Sequence, residues 1–263
     1  MNLLVTLDSN YIYPLCVMLN SVKKTNPTSK FDIYVAHSSL TEEDFNKING
    51  CTNENMQIHP LVVDESCFDS APVLSRISKA TYYRLLLGSF LPKEVDRILY
   101  IDPDTVVINP LDEIYNIDFN GNIIAASPHT YGVVESVNLS RLGLNKKTHY
   151  INAGVMMIDV DAWRKMITTE EIIQFVACNI KKLKLSDQDA INMIFEGKIL
   201  FVDERKYNLD EKTYYHYSWL RKINPDWVEK NTVVVHFNGG QKPWGEKEYR
   251  GKLGGYFERF KRV

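Results

Sequence analysis

Short apolar runs alternate with helical patterns through the first quarter of the chain. Asn2–Leu7, Phe31–Ala36 and Met56–Val63 have the length and apolar content of strands. Between the first two runs, apolar residues recur with the period of a helix, and Thr41 begins a second helical pattern with acidic residues in its first turn. This alternation is typical of a parallel sheet covered by helices. We therefore predict an α/β fold with a mostly parallel, Rossmann-like central sheet flanked by helices.

The size of the chain is compatible with one large domain. It has 263 residues, of which 44% are hydrophobic and 24% are charged, and these values are ordinary for a globular protein. We find no internal repeat, low-complexity run or obvious linker. We therefore predict a single domain over residues 1–263.

Charge and cysteine content narrow the class of protein. The formal net charge is −2, so nothing indicates a nucleic-acid-binding protein. The four cysteines have neither metal nor disulfide spacing and are typical of reduced thiols. The chain begins without a basic signal-peptide region, and no apolar run approaches the length of a membrane span. We expect a cytoplasmic protein.

The segment Arg97–Leu111, which reads RILYIDPDTVVINPL, is the strongest candidate for a functional site. Ile98–Ile101 has the composition of a strand buried on both faces, and Asp102 and Asp104 follow it directly. Open α/β sheets bind ligands at the carboxyl ends of their strands, and two carboxylates there suit a hard divalent cation. The alternative is a solvated turn, for which Asp-Pro-Asp is ordinary composition.

Polar residues follow two other predicted strands. Asp8 and Asn10 lie after the first strand, where they either cap the next helix or bind a ligand. His236 ends the strand Val233–Val235, and a glycine-rich turn and Lys242 come soon after it. The imidazole is a candidate metal ligand, while the turn and the lysine are candidate phosphate contacts.

In two further segments, polar or small residues have a structural explanation as well as a functional one. In the apolar strand Tyr150–Ile158, the small residues of Asn152-Ala153-Gly154 predict either close approach of a ligand or a β-bulge. In the cluster Ser186-Asp187-Gln188-Asp189, Ser186 or Asp187 is expected to cap the helix over Ala190–Phe195.

The remaining segments give weaker signals. We predict a helix over Ser78–Phe90 that contains Arg84, and irregular structure over Ser66–Arg76. Thr130–Lys147 reads as a long loop, with a lid as one interpretation. The aromatic residues of Tyr207–Trp227 are mostly expected in the core, with a sugar site as the alternative. The basic and aromatic tail Gly254–Val263 predicts either a solvated helix turn or contact with an anionic membrane surface.

Five segments, in this order, make the chain resemble glycosyltransferase family 8, the retaining GT-A enzymes that include bacterial lipopolysaccharide galactosyl- and glucosyltransferases. The segments are VTLDSNY (Val5–Tyr11), TYYRL (Thr81–Leu85), RILYIDPDTVV (Arg97–Val107), YINAGVMMID (Tyr150–Asp159) with LSDQDAIN (Leu185–Asn192), and HFNGGQKPW (His236–Trp244). The resemblance covers nearly the whole chain. It implies a GT-A fold, with a nucleotide-sugar half at residues 1–160 and an acceptor-side region at residues 160–263.

The resemblance also implies which residues bind the nucleotide and the metal. Asp8 and Asn10 match the loop that holds uracil and ribose, and Thr6 matches a main-chain contact to uridine. Gly239 and Lys242 match contacts to the diphosphate. The matching metal ligands are Asp102, Asp104 and His236. The family's usual metal is Mn²⁺, which agrees with an imidazole among the carboxylates, and Mg²⁺ is the alternative.

The resemblance likewise implies which residues form the pocket for the donor sugar. Arg84 matches an arginine that reaches the donor sugar, and Gln188 matches a residue under the β-face of the sugar. The pocket for the sugar hydroxyls matches Asn152, Ala153, Gly154 and Asp187. We take Gln188 and Asp187 as the candidate catalytic residues.

The resemblance implies transfer of glucose or galactose from a UDP-hexose to a glycan or glycolipid acceptor in the synthesis of lipopolysaccharide or another cell-surface polysaccharide. The choice of hexose, the acceptor and the oligomeric state stay open, as does peripheral contact with the inner membrane surface. Three alternatives remain: a UDP-sugar hydrolase, a non-catalytic UDP-sugar-binding module, and an α/β domain without a nucleotide site.

Overall fold

The computed structural model of the protein describes residues 1–63, 80–129 and 132–261. The predicted irregular segment Ser66–Arg76, Cys67 and the beginning of the predicted helix Ser78–Phe90 lie outside these residues. Strands in the described part are β1 (Asn2–Thr6), β2 (Phe31–His37), β3 (Met56–Val62), β4 (Arg97–Ile101), β5 (Thr105–Val107), β6 (Ile124–Pro128), β7 (Ile151–Asp159), β8 (Ile199–Phe201) and β9 (Val234–His236).

The strands form one large sheet and one small one. Seven strands pair in the order β3-β2-β1-β4-β7-β6-β8, and β5 pairs with β9 alone. The pairs among β3, β2, β1 and β4 are parallel, whereas β7 is antiparallel to both of its neighbours. The start of β7 therefore lies at the same edge of the sheet as the carboxyl ends of β1, β4 and β6. This edge is where an open α/β sheet binds ligands.

Helices cover both faces of the large sheet. In the described residues they are α1 (Ile12–Thr25), α2 (Glu42–Gly50), α3 (Ala80–Tyr83), α4 (Leu87–Phe90), α5 (Asp112–Tyr115), α6 (Gly132–Leu142), α7 (Val160–Met166), α8 (Thr169–Asn179), α9 (Ser186–Ile194), α10 (Glu204–Tyr207), α11 (Glu211–Trp219), α12 (Pro225–Asn231) and α13 (Gly254–Phe260). Two short 3₁₀ segments, Ser9–Tyr11 and Arg84–Leu86, join neighbouring elements. Thr41 and Thr168 begin α2 and α8 with reciprocal capping boxes, which satisfy backbone N–H groups that a helix leaves free.

The core explains why β4 reads as a continuous apolar run. Ile98 and Tyr100 pack in the hydrophobic cluster on one face of the sheet, while Leu99 and Ile101 pack in the cluster on the other. All four side chains are buried, as expected for a central strand covered on both faces. The sequence prediction of a doubly covered, mostly parallel sheet is therefore confirmed.

Two segment predictions differ from the structure. The predicted long loop within Thr130–Lys147 contains the helix α6, so a lid made of irregular chain is wrong for its described residues. The described part of Ser78–Phe90 is divided into α3, a 3₁₀ turn and α4 rather than one helix.

The C-terminal tail forms a helix that is docked onto the domain. Phe257 and Phe260 of α13 are buried, and Arg259 pairs with Glu229 at 2.8 Å. These two rings belong to a third apolar cluster that joins β5 and β9 to the C-terminal helices. The described tail is therefore a helix that docks through two buried rings rather than a solvated turn. Among the described residues, no helix combines the length and apolar character needed to cross a membrane.

Candidate active site

The turn between β4 and β5 carries the two carboxylates at the edge of the sheet. Asp102 follows the last residue of β4, and its backbone N–H donates to Gly154 O on β7 at 2.7 Å. Thr105 Oγ1 donates to Asp102 O at 2.9 Å, which closes the turn around Pro103. Asp104 is buried, and its position as the residue before β5 ties it to the small sheet.

The small sheet brings His236 to this turn from far along the sequence. β5 and β9 are antiparallel, with Thr105 opposite His236. Phe237 N–H also donates to Asp104 O at 2.9 Å, which extends the ladder by one residue. The backbone pairing therefore sets His236 beside Asp104, although 132 residues separate them.

The three side chains converge on one point. His236 Nε2 lies 3.2 Å from Asp104 Oδ1 and 3.8 Å from Asp102 Oδ2. One ligand atom from each residue lies within 4.8 Å of the other two. Ligands about 2.1 Å from one ion and at right angles to each other are about 3 Å apart, so these separations are close to those of a metal site. Two carboxylates and an imidazole form a donor set that suits a divalent cation such as Mn²⁺.

Lys242 approaches the same cluster from the other side. Its Nζ donates to Asp104 Oδ2 at 2.6 Å and to Phe237 O at 2.7 Å. Burial alone would raise the pKa of Asp104, but His236 and Lys242 outweigh it and hold that pKa well below its usual range. Burial likewise disfavours the charged form of His236, yet the carboxylates of Asp104 and Asp102 raise its pKa. Asp104 is therefore ionised near neutral pH.

Arg84 links the metal side of the site to α9. Its Nη1 lies 3.1 Å from Asp102 Oδ1 and donates to Ala153 O at 2.9 Å, and its Nε lies 2.8 Å from Asp187 Oδ2. The guanidinium also stacks over the ring of Tyr100 at 4.5 Å. Burial works against its charge, but the two carboxylates more than compensate and raise the pKa of Arg84. Arg84, predicted to lie in a helix, is thus a half-buried, paired cation inside the site.

Asp187 has a different role from the predicted helix cap. Leu185 is the N-cap of α9 and makes no side-chain capping bond, and Ser186 is the first residue of the helix, with a positive φ of 49°. Because Ser186 and Asp187 lie inside α9, the prediction that one of them caps Ala190–Phe195 is wrong, and the Asp187 carboxylate pairs with Arg84. Burial raises the pKa of Asp187 to about 6, although Arg84 lowers it.

Gln188 is held between β7 and a buried polar group. Its Oε1 accepts from Ala153 N–H at 3.3 Å, and its Nε2 donates to the hydroxyl of Tyr150 at 3.1 Å. That hydroxyl donates in turn to Asp189 Oδ1 at 2.6 Å, and Arg141 forms two bonds to the same carboxylate. Gln188 therefore has a fixed orientation at the wall of the site.

Gly154 leaves room for the side chains of His236 and Asp102. A Cβ at this position would lie 2.3 Å from His236 Cε1 and 2.7 Å from Asp102 Oδ2. β7 also shifts register here: Ile151 pairs with Pro128 and Met156 with Ala126, so four residues of β7 face the single residue between them on β6. The predicted β-bulge is therefore confirmed, and the groups that approach Gly154 closely are the side chains of His236 and Asp102. Close approach of a ligand stays a prediction.

Most of the predicted site residues line one cleft of about 510 Å³. It is bordered by Arg84, Asp102, Asp104, Asn152, Ala153, Gly154, Asp187, Gln188, His236, Gly239 and Lys242. Three predicted residues do not line it. Asp8 accepts from Asn10 N–H at 2.9 Å and caps the 3₁₀ segment after β1, and Thr6 Oγ1 contacts the hydroxyl of Tyr100 at 3.0 Å.

Several residues of the cleft were missed by the sequence reasoning. They are Tyr11, His129, Lys184, Leu185, Ser186, Lys212 and Asn238. Tyr11 lies within VTLDSNY, and His129 directly follows β6 at the edge where β1 and β4 end, so position relative to a strand end was an available signal for both. Lys212, in the first turn of α11, had no comparable signal.

Comparison with known proteins identifies the family of this chain. The model of the family described as glycosyl transferase family 8 matches residues 2–248. The chain belongs to glycosyltransferase family 8. The lipopolysaccharide 1,2-glucosyltransferase of Escherichia coli K12 is 26% identical to it, over 93% of this chain and 72% of the relative. The lipopolysaccharide 1,3-galactosyltransferase of Salmonella typhimurium is 27% identical, over 92% and 72%.

A solved structure supports the same assignment. The galactosyltransferase LgtC, crystallised with donor and acceptor sugar analogs, superposes with a TM-score of 0.82 and 25% identity, over 99% of this chain and 95% of that one. This family 8 protein is therefore a glycosyltransferase with the GT-A fold, as the resemblance predicted.

Proposed function

We propose that this glycosyltransferase moves a hexose, glucose or galactose, from a UDP-sugar to a hydroxyl of a glycan or glycolipid acceptor, with retention of the anomeric configuration. The observation that carries the proposal is the convergence of Asp102, Asp104 and His236 on one point. We infer that these three residues bind a divalent cation, with Mn²⁺ preferred because one ligand is an imidazole, and with Mg²⁺ as the alternative.

The diphosphate of the donor is proposed to lie between this cluster and the Gly239 turn. The cation would supply Lewis-acid stabilisation of the departing phosphate. Lys242 is already bound to Asp104 at 2.6 Å, so its ammonium group is held where negative charge would develop. Uridine is proposed to contact the loop after β1, through Asp8, Asn10 and the main chain of Thr6.

The hexose is proposed to occupy the side of the cleft formed by α9 and the start of β7. Arg84 holds the Asp187 carboxylate at 2.8 Å, which orients it to accept a hydrogen bond from a sugar hydroxyl. Asn152, Ala153 and Gly154 complete the pocket. In this arrangement residues 1–160 carry most of the donor site, and residues 160–263 carry the acceptor side.

Retention is proposed to occur by attack on the same face from which the phosphate departs. Gln188 is a neutral amide and therefore a poor nucleophile, which disfavours the covalent intermediate of retaining glycosidases. Its amide is oriented by Ala153 and Tyr150 and would stabilise an oxocarbenium-like state as a dipole. The departing phosphate oxygen takes the proton of the acceptor hydroxyl. A covalent sugar adduct trapped on Gln188 or Asp187 would contradict this mechanism.

The acceptor is proposed to be part of a cell-surface polysaccharide, because relatives of this chain are lipopolysaccharide glucosyl- and galactosyltransferases. A cytoplasmic location, with peripheral contact at the inner membrane surface, agrees with such an acceptor.

Replacing Asp104 with Ala tests the proposed donor site. We expect Mn²⁺-dependent release of UDP from UDP-glucose or UDP-galactose to fall by about two to three orders of magnitude, because a metal ligand and the partner of Lys242 are both lost. Asp226→Ala is the matched control, since Asp226 is an exposed carboxylate on α12. Equal turnover in both variants would rule out the Asp102-Asp104 metal site.

A further inference from the structure

A chain of side-chain hydrogen bonds runs behind the candidate metal site. Gly154 N–H donates to Asn152 Oδ1 at 2.8 Å, and Asn208 Nδ2 donates to the same oxygen at 2.9 Å. The other side-chain atom of Asn208, Oδ1, lies 2.8 Å from His236 Nδ1. All three side chains are buried. Asn208 was not among the residues predicted from the sequence.

The direction of each hydrogen bond in this series follows from the first one, which Gly154 N–H donates. A backbone N–H can only donate, so the Asn152 atom that faces Gly154 must be the amide oxygen. Asn208 meets that oxygen and must therefore turn its NH₂ group towards it. Its own oxygen is then left for His236, and the ring nitrogen that faces an oxygen at 2.8 Å must carry a proton.

This polarity decides which ring nitrogen of His236 is available to a cation. When the ring is neutral, it carries one proton, and the bond to Asn208 retains that proton on Nδ1. Nε2 is then the nitrogen with a free electron pair, and it faces Asp104 Oδ1 at 3.2 Å and Asp102 Oδ2 at 3.8 Å. The chain of bonds therefore prepares the nitrogen that points at the two carboxylates.

The backbone fixes Asn208 in this place. Leu209 pairs with Val235 of β9, and His236 N–H donates to Leu209 O at 2.8 Å. Asn208 also ends α10, where its N–H donates to Glu204 O at 3.3 Å. Main-chain bonds at Leu209 thus anchor the segments that carry Asn208 and His236, independently of any ligand.

We propose that Asn208 is a positioning residue for the metal site, and that the hydrogen-bonded chain Gly154–Asn152–Asn208 holds His236 with Nε2 ready to coordinate a divalent cation. The cation itself rests on the proposed function, whereas the state of the His236 ring rests on the geometry alone. Residues behind a metal-ligating histidine that fix its tautomer in this way contribute to metal affinity.

The proposal also connects the sugar side of the cleft to the metal side. Asn152 lines the cleft, yet its oxygen is occupied by Gly154 and Asn208. A substitution that removes this oxygen, such as Asn152→Ala, is expected to loosen Asn208 and thereby to weaken cation binding. A role for Asn152 confined to the sugar would leave cation binding unchanged.

Two variants of Asn208 separate positioning from packing. Asn208→Leu keeps the branched shape of the side chain and removes both hydrogen bonds. Asn208→Asp keeps an oxygen facing His236 Nδ1, replaces the donor to Asn152 with an acceptor and adds a negative charge. Binding of Mn²⁺ alone, without nucleotide, is measured from the loss of the free-ion electron paramagnetic resonance signal. The tautomer of His236 is measured in the metal-free protein by ¹H–¹⁵N correlation at alkaline pH, where the ring is neutral.

We expect the wild-type protein and Asn208→Asp to carry the proton on Nδ1. Because Asn208→Asp loses the bond to Asn152, we expect it to bind Mn²⁺ less tightly than the wild type and more tightly than Asn208→Leu. Asn208→Leu is expected to lose the fixed tautomer and to raise the dissociation constant about 10- to 100-fold. Equal Mn²⁺ binding by wild type and Asn208→Leu would overturn the proposal, as would equal loss in both variants, since that pattern indicates packing.

The two readouts distinguish this proposal from the proposed function. A wild-type protein that takes up no Mn²⁺ contradicts the metal site and, with it, the role of Asn208 in metal binding. The tautomer is independent of that result. A neutral His236 with its proton on Nε2 would overturn the hydrogen-bonded chain whether or not the metal binds.

Discussion

Two Asp-x-Asp pairs at or behind the wall of the cleft share a sequence pattern and differ in structure. Asp102 and Asp104 lie on the turn between β4 and β5, whereas Asp187 and Asp189 lie in the first turn of α9. In the turn, both carboxylates face His236. In a helix, two residues that are two positions apart are rotated by about 200° around the helix axis, so their side chains lie on nearly opposite faces. Asp187 accordingly faces Arg84 in the cleft, and Asp189 faces Arg141 in the interior.

The difference between the pairs extends to their electrostatics. Burial raises the pKa of Asp187 to about 6, because Arg84 compensates only part of the lost hydration. Burial acts on Asp189 too, but Arg141, Tyr150 and the Leu185 N–H outweigh it and lower its pKa. The lesson is that backbone conformation, and not the spacing of the two acids, decides whether an Asp-x-Asp pair can bind one cation.

Replacing Asp189 with Ala should have the largest effect on folding. The Asp189 carboxylate is 0% exposed and accepts two bonds from Arg141, at 2.8 and 2.9 Å, and one from Tyr150 at 2.6 Å. Its removal leaves a guanidinium without its carboxylate in a largely buried position, so we expect the free energy of unfolding to fall by about 3–5 kcal/mol. Urea unfolding followed by circular dichroism measures this loss.

The control for that prediction is Asp104→Ala, which removes a carboxylate of the other pair. The ammonium group of Lys242 then keeps its bond to Phe237 O at 2.7 Å and has access to the water of the cleft. We expect a much smaller change in unfolding free energy than for Asp189→Ala. If Asp104→Ala destabilised the protein as much as Asp189→Ala, the two pairs would not differ as described.

The contrast also separates what could be predicted from the sequence from what could not. The strand Ile98–Ile101, its place at the centre of the sheet and the carboxylates at its end follow from local pattern, because a strand buried on both faces reads as a continuous apolar run. The approach of His236 depends on the pairing of β5 with β9 over 132 residues. The position of His236 at a strand end made it a candidate ligand, and the resemblance to family 8 assigned it to the same metal as Asp102 and Asp104.

Predictions from the local sequence pattern were wrong or absent where a contact with a distant residue determines the role of a side chain. Asp187 has the residue type and sequence position of a helix cap, but its carboxylate pairs with Arg84 from another helical segment. Asn208 follows a one-turn helix, and nothing near it in the sequence indicates that it contacts a histidine 28 residues away. Such roles depend on contacts between distant side chains, which the periodicity of a sequence does not indicate.

The helix α6 was missed for a different reason. Val133, Val134 and Val137 are exposed, while Leu139 and Leu142 are buried. Its apolar residues therefore occur on both the solvent side and the core side, and the helix has no clear amphipathic period. The prediction of a loop followed from that missing period.

Asp187→Asn should raise the free energy of unfolding, whereas Asp189→Ala lowers it, and the expected change is smaller in size. The pKa of Asp187 is about 6 in the folded protein and 3.8 in a model peptide, so the folded state is favoured at low pH. That stabilisation is complete below about pH 4 and is lost as pH rises through about 6. A neutral amide avoids the loss, so we expect Asp187→Asn to exceed the wild type by about 3 kcal/mol in unfolding free energy at pH 7.5.

The pH dependence checks the cause of that gain. Urea unfolding at pH 4 and pH 7.5 should give a difference between Asp187→Asn and wild type only at the higher pH. Sugar transfer by the variant is expected to fall even though the variant is more stable, since the proposed acceptor of a sugar hydroxyl has lost its charge. Asp189→Asn is the matched comparison and should lose stability at pH 7.5, because its carboxylate has a lowered pKa. A gain in both variants would contradict the assignment of opposite electrostatics.

The smallest predicted effect is stabilisation by the cation alone. Mn²⁺ at ten times its dissociation constant, without nucleotide, should add about 1.4 kcal/mol to the free energy of unfolding of the wild type. For a chain of this size that corresponds to a rise in Tm of a few degrees. Asp104→Asn should abolish the rise, because its carboxylate faces His236 Nε2 at 3.2 Å. Asp187→Asn should retain it, because its carboxylate pairs with Arg84 instead. The reverse pattern in these two isosteric variants would assign the cation to the helical pair and not to the turn.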